Sequence, residues 1–172
     1  MVKLLTKKLS FYYHSELPIY VSQDSPHLLA GGKVGGALQN IIPRSTNAAK
    51  ALGQVLPDLE GKLTAASVRV PLASGSLIDL TCRLKKEASL DEIRCALCEA
   101  MDGSMVGIID VTNEKVVSSD FIGSHYSCVY DSRASMVVGK KFVKLFAWYD
   151  SEYGYACRVI DLIKFMHAEQ KS

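Results

Sequence analysis

The densest set of groups able to do chemistry lies at Tyr149, Asp150, Ser151, Glu152, Tyr153 and Tyr155, a run of carboxylates, hydroxyls and aromatic rings. It sits inside Lys141–Ile163, where two different periodicities meet. Phe142, Leu145 and Trp148, the chain's single tryptophan, stand among β-favouring neighbours and read as a half-buried strand. Val159, Leu162, Ile163 and Met166 are spaced along one helical face. The polar run is therefore a strand-to-helix corner, a place where rigid elements hold a loop that can meet a ligand. A purely structural corner, with tyrosines closing the core, fits the same residues.

Three other patterns carry chemistry. Ser45-Thr46-Asn47 ahead of AAKALGQVL begins a helix, with Pro57 marking its stop. Free N–H groups there bind anions, and the same hydroxyls serve as plain caps, the reading that the local pattern favours. Arg69 lies between Val68 and Val70 in a strand, so it faces away from them, toward solvent or toward a ligand. Cys95 and Cys98 form a CxxC within a helix. With no second pair and no neighbouring histidine, zinc is not expected there, and no thioredoxin-type strand precedes it. No metal site is assigned. The glycine-rich GGKVGG matches neither phosphate-cradling pattern, and no GxGxxG follows a strand, so no nucleotide-binding domain is expected within these residues.

Positioning those groups takes one domain's worth of chain. The 172 residues are 48% hydrophobic and 22% charged, which suits a globular core. A net charge of +2 gives no electrostatic case for nucleic acid or an anionic membrane. No apolar run nears the roughly 20 residues of a membrane span, and MVKLLTKKLSFYY makes a poor signal peptide. Five cysteines without framework spacing suit a reducing, cytoplasmic setting.

Along the chain, Val2–Leu9 reads as two turns of amphipathic helix, Ser10–Tyr13 as a short strand, and Pro18–Pro43 as a long irregular loop. Lys62–Val70 and Ser76–Leu84 are strands joined by a turn, and Ser89-Leu90-Asp91-Glu92 is a capping box opening a helix to about Asp102. Gly107–Val111, Lys115–Phe121, Ser127–Asp131, Ser135–Val138 and Lys141–Tyr149 read as antiparallel strands. The expected class is α+β: a large mixed, mostly antiparallel sheet covered on one face by two or three helices, with the long loop and a C-terminal helix.

The segments HSELPIYVSQ, GGALQNIIPRSTNAAKALGQVLPDLEGKLTAASVRVP, DLTCRLKKEAS, VVSSDFIG and FVKLFAWYDSEYGYACRVIDLI together resemble the catalytic, C-terminal domain of phosphorylating glyceraldehyde-3-phosphate dehydrogenases, from about His14 to Met166. The resemblance implies a single domain over 1–172. Residues 1–13 would be a remnant of the inter-domain helix and strand, 18–43 a subunit-contact loop, and 153–168 the C-terminal helix packing on an NAD-binding domain. In such enzymes a cysteine in an SCTTN motif attacks the aldehyde, a histidine activates it, NAD takes the hydride and inorganic phosphate releases the acyl group.

Carried to this sequence, His14 matches the activating histidine, Thr46 the threonine on inorganic phosphate, Arg69 the arginine on the substrate phosphate, and Tyr155 the tyrosine beside the nicotinamide. Asn47 stands where a glycine is usual, Ser151 where an asparagine holds the carboxamide, and Leu17 where a phosphate-binding threonine is expected. The chain begins after the SCTTN position, and none of its cysteines replaces that nucleophile. The resemblance therefore implies glyceraldehyde 3-phosphate, inorganic phosphate and NAD as ligands, with the Rossmann domain absent and neither turnover nor NAD binding by this chain alone. A full-length dehydrogenase subunit or further copies of the chain are the implied partners. The alternative is a non-catalytic interaction or regulatory protein that keeps the fold and its oligomer surfaces.

Overall fold

The computed structural model describes residues 11–12, 20–22, 41–72 and 74–170. The expected helix at Val2–Leu9, His14, Leu17 and most of the 18–43 loop lie outside them. Strands β1 (Phe11–Tyr12), β2 (Tyr20–Ser22), β3 (Ile42–Ser45), β4 (Ala66–Arg69), β5 (Ser76–Leu84), β6 (Ile109–Thr112), β7 (Cys128–Val138) and β8 (Phe142–Tyr149) form one sheet. Its order is β3-β4-β2-β5-β8-β7-β6, with β1 also on β5. Helix α1 (Ala48–Val55) joins β3 to β4, α2 (Leu90–Met101) joins β5 to β6, and α3 (Tyr153–Glu169) follows β8. The α+β class read from the sequence is the class observed.

Alternation along the central strands makes the core. Leu80, Cys82 and Leu84 of β5 and Val143, Leu145 and Ala147 of β8 turn to one face and are almost wholly buried. There they meet Ile93, Leu97 and Ala100, the inward stripe of α2. Helix α2 starts where its capping box demands: Ser89 Oγ accepts from Glu92 N at 3.2 Å, and the Glu92 carboxylate accepts from Ser89 N at 2.7 Å. Those bonds hold the Glu92 pKa below its usual range. On the other face, Lys144 pairs with the buried carboxylate of Asp79 across β5 and β8, and its ammonium lies 5.3 Å from the Phe146 ring.

Four expectations are corrected. The loop read as irregular from 18 to 43 contains β2, which pairs with β4 and β5 on its two edges, and the start of β3. A three-residue strand is shorter than the window in which alternation can be read. Lys115–Phe121 is not a strand: Ser118–Phe121 is a 3₁₀ turn, because the Asp120 carboxylate accepts the Val117 N–H at 2.8 Å that a ladder would use. The polar connection lets the chain return to the same end, so β6 and β7 pair parallel rather than antiparallel.

Ser127–Asp131 and Ser135–Val138 are one strand, β7, interrupted by a register shift between Asp131 and Met136. Asp131 Oδ1 takes the N–H groups of Arg133 (3.0 Å) and Ala134 (2.8 Å), and the unpaired residues bulge without ending the strand. Among the described residues no helix is long and apolar enough to cross a membrane.

Truncating a side chain at the centre of this packing should be costly. Leu145→Ala is expected to lower unfolding stability by about 2–5 kcal/mol through lost burial and the cavity left behind. Val138→Ala, on the open face, should change it by no more than about 0.5 kcal/mol. Urea unfolding followed by circular dichroism measures both, and equal losses would refute this placement of the core.

Candidate functional site

The corner after β8 is built around Asp150, which is buried. Its Oδ1 accepts from Glu152 N (2.8 Å) and Tyr153 N (3.0 Å), the orphan donors at the start of α3, and its Oδ2 accepts from Gly123 N (2.8 Å). Asp150 thus caps α3 from outside the helix, while Glu152 at the formal cap position makes no side-chain capping bond. Burial pushes the Asp150 pKa up, but bonds from Gly123, Tyr153 and Glu152 outweigh it, leaving the carboxyl below its ordinary value. The sequence marked Asp150 as part of a turn without its capping role. An aspartate just ahead of an apolar helical pattern is the signal that carries it.

The loop bonded to Asp150 is itself fixed by Trp148. The Trp148 ring stacks on Phe121, with centroids 5.7 Å apart and planes 8° apart, and its Nε1 donates to Asp131 Oδ2 at 2.9 Å. Gly154, the second residue of α3, leaves no room for a side chain, since a Cβ there would lie 2.8 Å from Tyr126 O. Arg158 Nη1 then donates to Gly107 O at 3.1 Å, and its Nη2 pairs with Asp161 at 2.7 Å. Beyond these anchors α3 leaves the sheet, and every residue from 159 to 170 is exposed. Ser151 is half-buried in the corner and Tyr155 is 72% exposed just past it.

Arg69 and this corner share one end of the sheet. Strands β2, β4 and β8 run in the same direction: β4 is parallel to β2, and both β2 and β8 are antiparallel to β5. Arg69 ends β4, and Tyr149, paired with Ser76, ends β8. Three strand spacings separate β4 from β8, about 14 Å.

Thr46 stands apart from both. It follows Ser45, which pairs with Ala66, whereas Arg69 pairs with Ile42, so about 10 Å of ladder separates the two rows. Of the three candidate caps for α1, Thr46 acts: its Oγ1 accepts from Ala48 N at 3.2 Å, and the Asn47 side chain makes no capping bond. The half-buried Arg69 makes no side-chain hydrogen bond or ion pair to another described residue. His14, the remaining predicted site residue, is outside the described part.

Two of the five cysteines are enclosed in the core. Cys82 is buried in the core, with burial pushing its pKa up to about 12, and burial raises Cys128 as well. Cys95 and Cys98 are on α2, and Cys157 is half-buried on α3. Among the described residues no group of three or more His, Cys, Asp or Glu could hold a metal ion.

The folded-state pKa of Asp150 lies below the unfolded value of about 3.9. Its contribution is therefore complete above that value and is lost as pH falls through the folded pKa. Asp150→Ala is expected to cost about 1–2 kcal/mol near neutral pH, because three backbone N–H donors lose their charged acceptor. The variant should also lose less stability than wild type between pH 5 and acid below the folded pKa. Denaturant unfolding across that range checks it, and parallel losses in the two proteins would contradict the role given to Asp150.

Comparison with known proteins bears on the whole of this arrangement. Residues 22–151 match the family model described as the glyceraldehyde 3-phosphate dehydrogenase, C-terminal domain. A glyceraldehyde-3-phosphate dehydrogenase of Glossina morsitans morsitans is 54% identical over 134 residues, covering 78% of this chain and 40% of that protein. A cytosolic one from Craterostigma plantagineum is 55% identical over 129 residues, 75% of this chain and 38% of the relative. Glyceraldehyde-3-phosphate dehydrogenase 2 of Danio rerio is 48% identical over 147 residues, 86% and 44%. The matched stretch thus spans about two fifths of the relatives' length. The chain belongs to the glyceraldehyde 3-phosphate dehydrogenase family, through that family's C-terminal domain.

Proposed function

We propose that this chain is the substrate- and phosphate-binding half of a phosphorylating glyceraldehyde-3-phosphate dehydrogenase, and that residues 1–172 alone do not turn over. The observation that carries the reading is the intact corner. Asp150 and Trp148 hold Ser151 and Tyr155 at the same sheet end as Arg69. In this reading Arg69 binds the phosphate of glyceraldehyde 3-phosphate. Thr46 binds inorganic phosphate beside the start of α1, with Asn47 next to it. The distance between their rows suits two phosphates better than one. His14 is the base that activates a thiol, and that thiol comes from outside these residues, since none of the five cysteines stands at the position of the family's nucleophile.

NAD, which accepts the hydride in the family's reaction, meets only a fragment of a site here. Ser151 offers a hydroxyl where a carboxamide partner is expected, and Tyr155 offers an exposed ring. These residues fit the nicotinamide edge of such a site, and a nucleotide-binding domain supplies the remainder. The open length of α3 supports that division of labour. Val159, Ile160, Leu162, Ile163, Phe165 and Met166 are all exposed, an apolar surface that calls for a cover. The sheet face bearing Met136, Val138 and Phe142 is equally open and suits another subunit, either a second copy or a full-length dehydrogenase. A cytoplasmic location accords with the free cysteines and the cytosolic relative, although one relative is chloroplastic.

A second reading rests on Ser151 and Asn47. Both change the chemistry at ligand positions while the surrounding fold is retained, as in a non-catalytic subunit that joins oligomers.

Purified 1–172 given glyceraldehyde 3-phosphate, NAD and phosphate should form no NADH above a protein-free blank; turnover that disappears in His14→Ala would overturn the inert-alone proposal. Joined to a nucleotide-binding domain carrying the nucleophilic cysteine, the chain should gain turnover. There Arg69→Ala should lower kcat/KM roughly 10- to 100-fold, the worth of one charge-assisted phosphate contact. A well-folded fusion that stays inactive but enters dehydrogenase oligomers would favour the second reading.

A further inference from the structure

An open sheet has two edges, and the backbone groups along each can take on a further strand. Among the described residues the order β3-β4-β2-β5-β8-β7-β6 ends in β3 and β6. β3 carries the exposed Pro43, which has no N–H to offer an incoming strand. β6 has no proline, and its Ile109, Val111 and Thr112 are residues that favour pairing. Its edge needs another form of protection.

Which groups of β6 face outward follows from the bonds of their neighbours. Ile108 O accepts from Ser127 N at 2.8 Å, and Thr112 O accepts from Ser132 Oγ at 2.7 Å, so both carbonyls turn toward β7. Backbone groups of successive strand residues point to opposite sides, which places those of Ile109 and Val111 on the outer edge. Neither of these outward N–H groups is open. Ile109 N donates to Met105 O at 3.2 Å, in the turn that leads out of α2, and Val111 N donates to Asp110 Oδ1 at 2.8 Å. The first bond is held by the core, because Ile109 is buried against α2 and Met105 packs on the same cluster. The second depends on one half-buried side chain. That side chain also sets a carboxylate beside the edge, where it repels the carbonyl oxygens of an approaching strand.

We propose that Asp110, together with the turn at Met105, closes the outer edge of β6 to strand addition, so that copies of this chain do not join edge to edge. Asp110 occupies the one outward donor of β6 that core packing does not already hold. The open sheet face and α3 remain as the routes by which the chain meets a partner.

The test compares sedimentation velocity over a concentration series for the full chain and for Asp110→Ala, Asp110→Asn and the double variant Asp110→Ala/Val111→Pro. Association through other surfaces is common to all four, so the differences report the edge. Asp110→Ala should raise the self-association constant roughly tenfold, the worth of the hydrogen bond that the freed N–H makes to a second strand. Asp110→Asn keeps an acceptor oxygen and should stay near wild type. Val111→Pro deletes the freed N–H, so the double variant should return to the wild-type level. A side chain that only supported the fold would give the opposite result, since the proline would add to its loss. Far-UV circular dichroism verifies that the variants are folded. Amide hydrogen exchange on wild type gives an independent reading, with Val111 N–H expected to exchange about tenfold or more slowly than an open edge amide. An unchanged constant in folded Asp110→Ala, a rise that the proline does not reverse, or an unprotected Val111 N–H would overturn the proposal.

Discussion

A single carboxylate fixes the corner where β8 passes into α3. Asp150 gathers N–H groups from two places: the first turn of α3 and Gly123, distant in sequence. Removing the carboxylate would take the acceptor from all three donors at once, a loss of the kind that a missing helix cap brings. The bonds therefore fix both where α3 starts and where the loop before β7 lies. Trp148 reinforces the arrangement from the strand side, with its ring on Phe121 and its N–H on Asp131, whose other oxygen holds the β7 bulge. Ser151 and Tyr155 inherit their positions from this lattice of bonds.

The lattice also separates fold from chemistry. None of its members is one of the residues that the family resemblance places on a ligand. Asn47 and Ser151 can thus depart from the usual residue types while the scaffold around them persists. Stability is concentrated in the β5–β8 ladder and α2, whereas the positions that the family resemblance assigns to ligands lie at strand ends and helix starts. Changes at such positions affect binding without unpacking the core.

Much of this was legible from residue order. Ser76–Leu84 was read with its observed ends, the Ser89 capping box placed α2, and the strand-turn-helix change of period after Lys141 placed β8 and α3. These signals are local and repeat over several turns or pleats. The misses were features set by long-range partners. β2 is a strand because β4 and β5 lie on its edges, and β6 pairs parallel because of where its connection returns. Asp120 and Asp131 redirect backbone N–H groups in ways that alternation cannot reveal. The candidate site residues come only from family motifs, because the residue pattern alone favours plain capping for Thr46 and leaves Arg69 open between solvent and a ligand. Thr46 does cap its helix, and a helix start can both cap and bind.

The apolar residues of α3 also set the shape of whatever meets it. At about 100° per residue, Val159, Ile160, Leu162, Ile163, Phe165 and Met166 extend over more than half of the helix circumference. A flat surface touches only one stripe of a cylinder and would leave two flanks in water. The complementary surface is therefore a trough, walled on both sides and roughly two turns long. A helix seated in such a trough can neither roll nor slide without baring apolar surface. The apolar girth that makes α3 a poor surface helix would then lock Tyr155 at one angle relative to its surroundings.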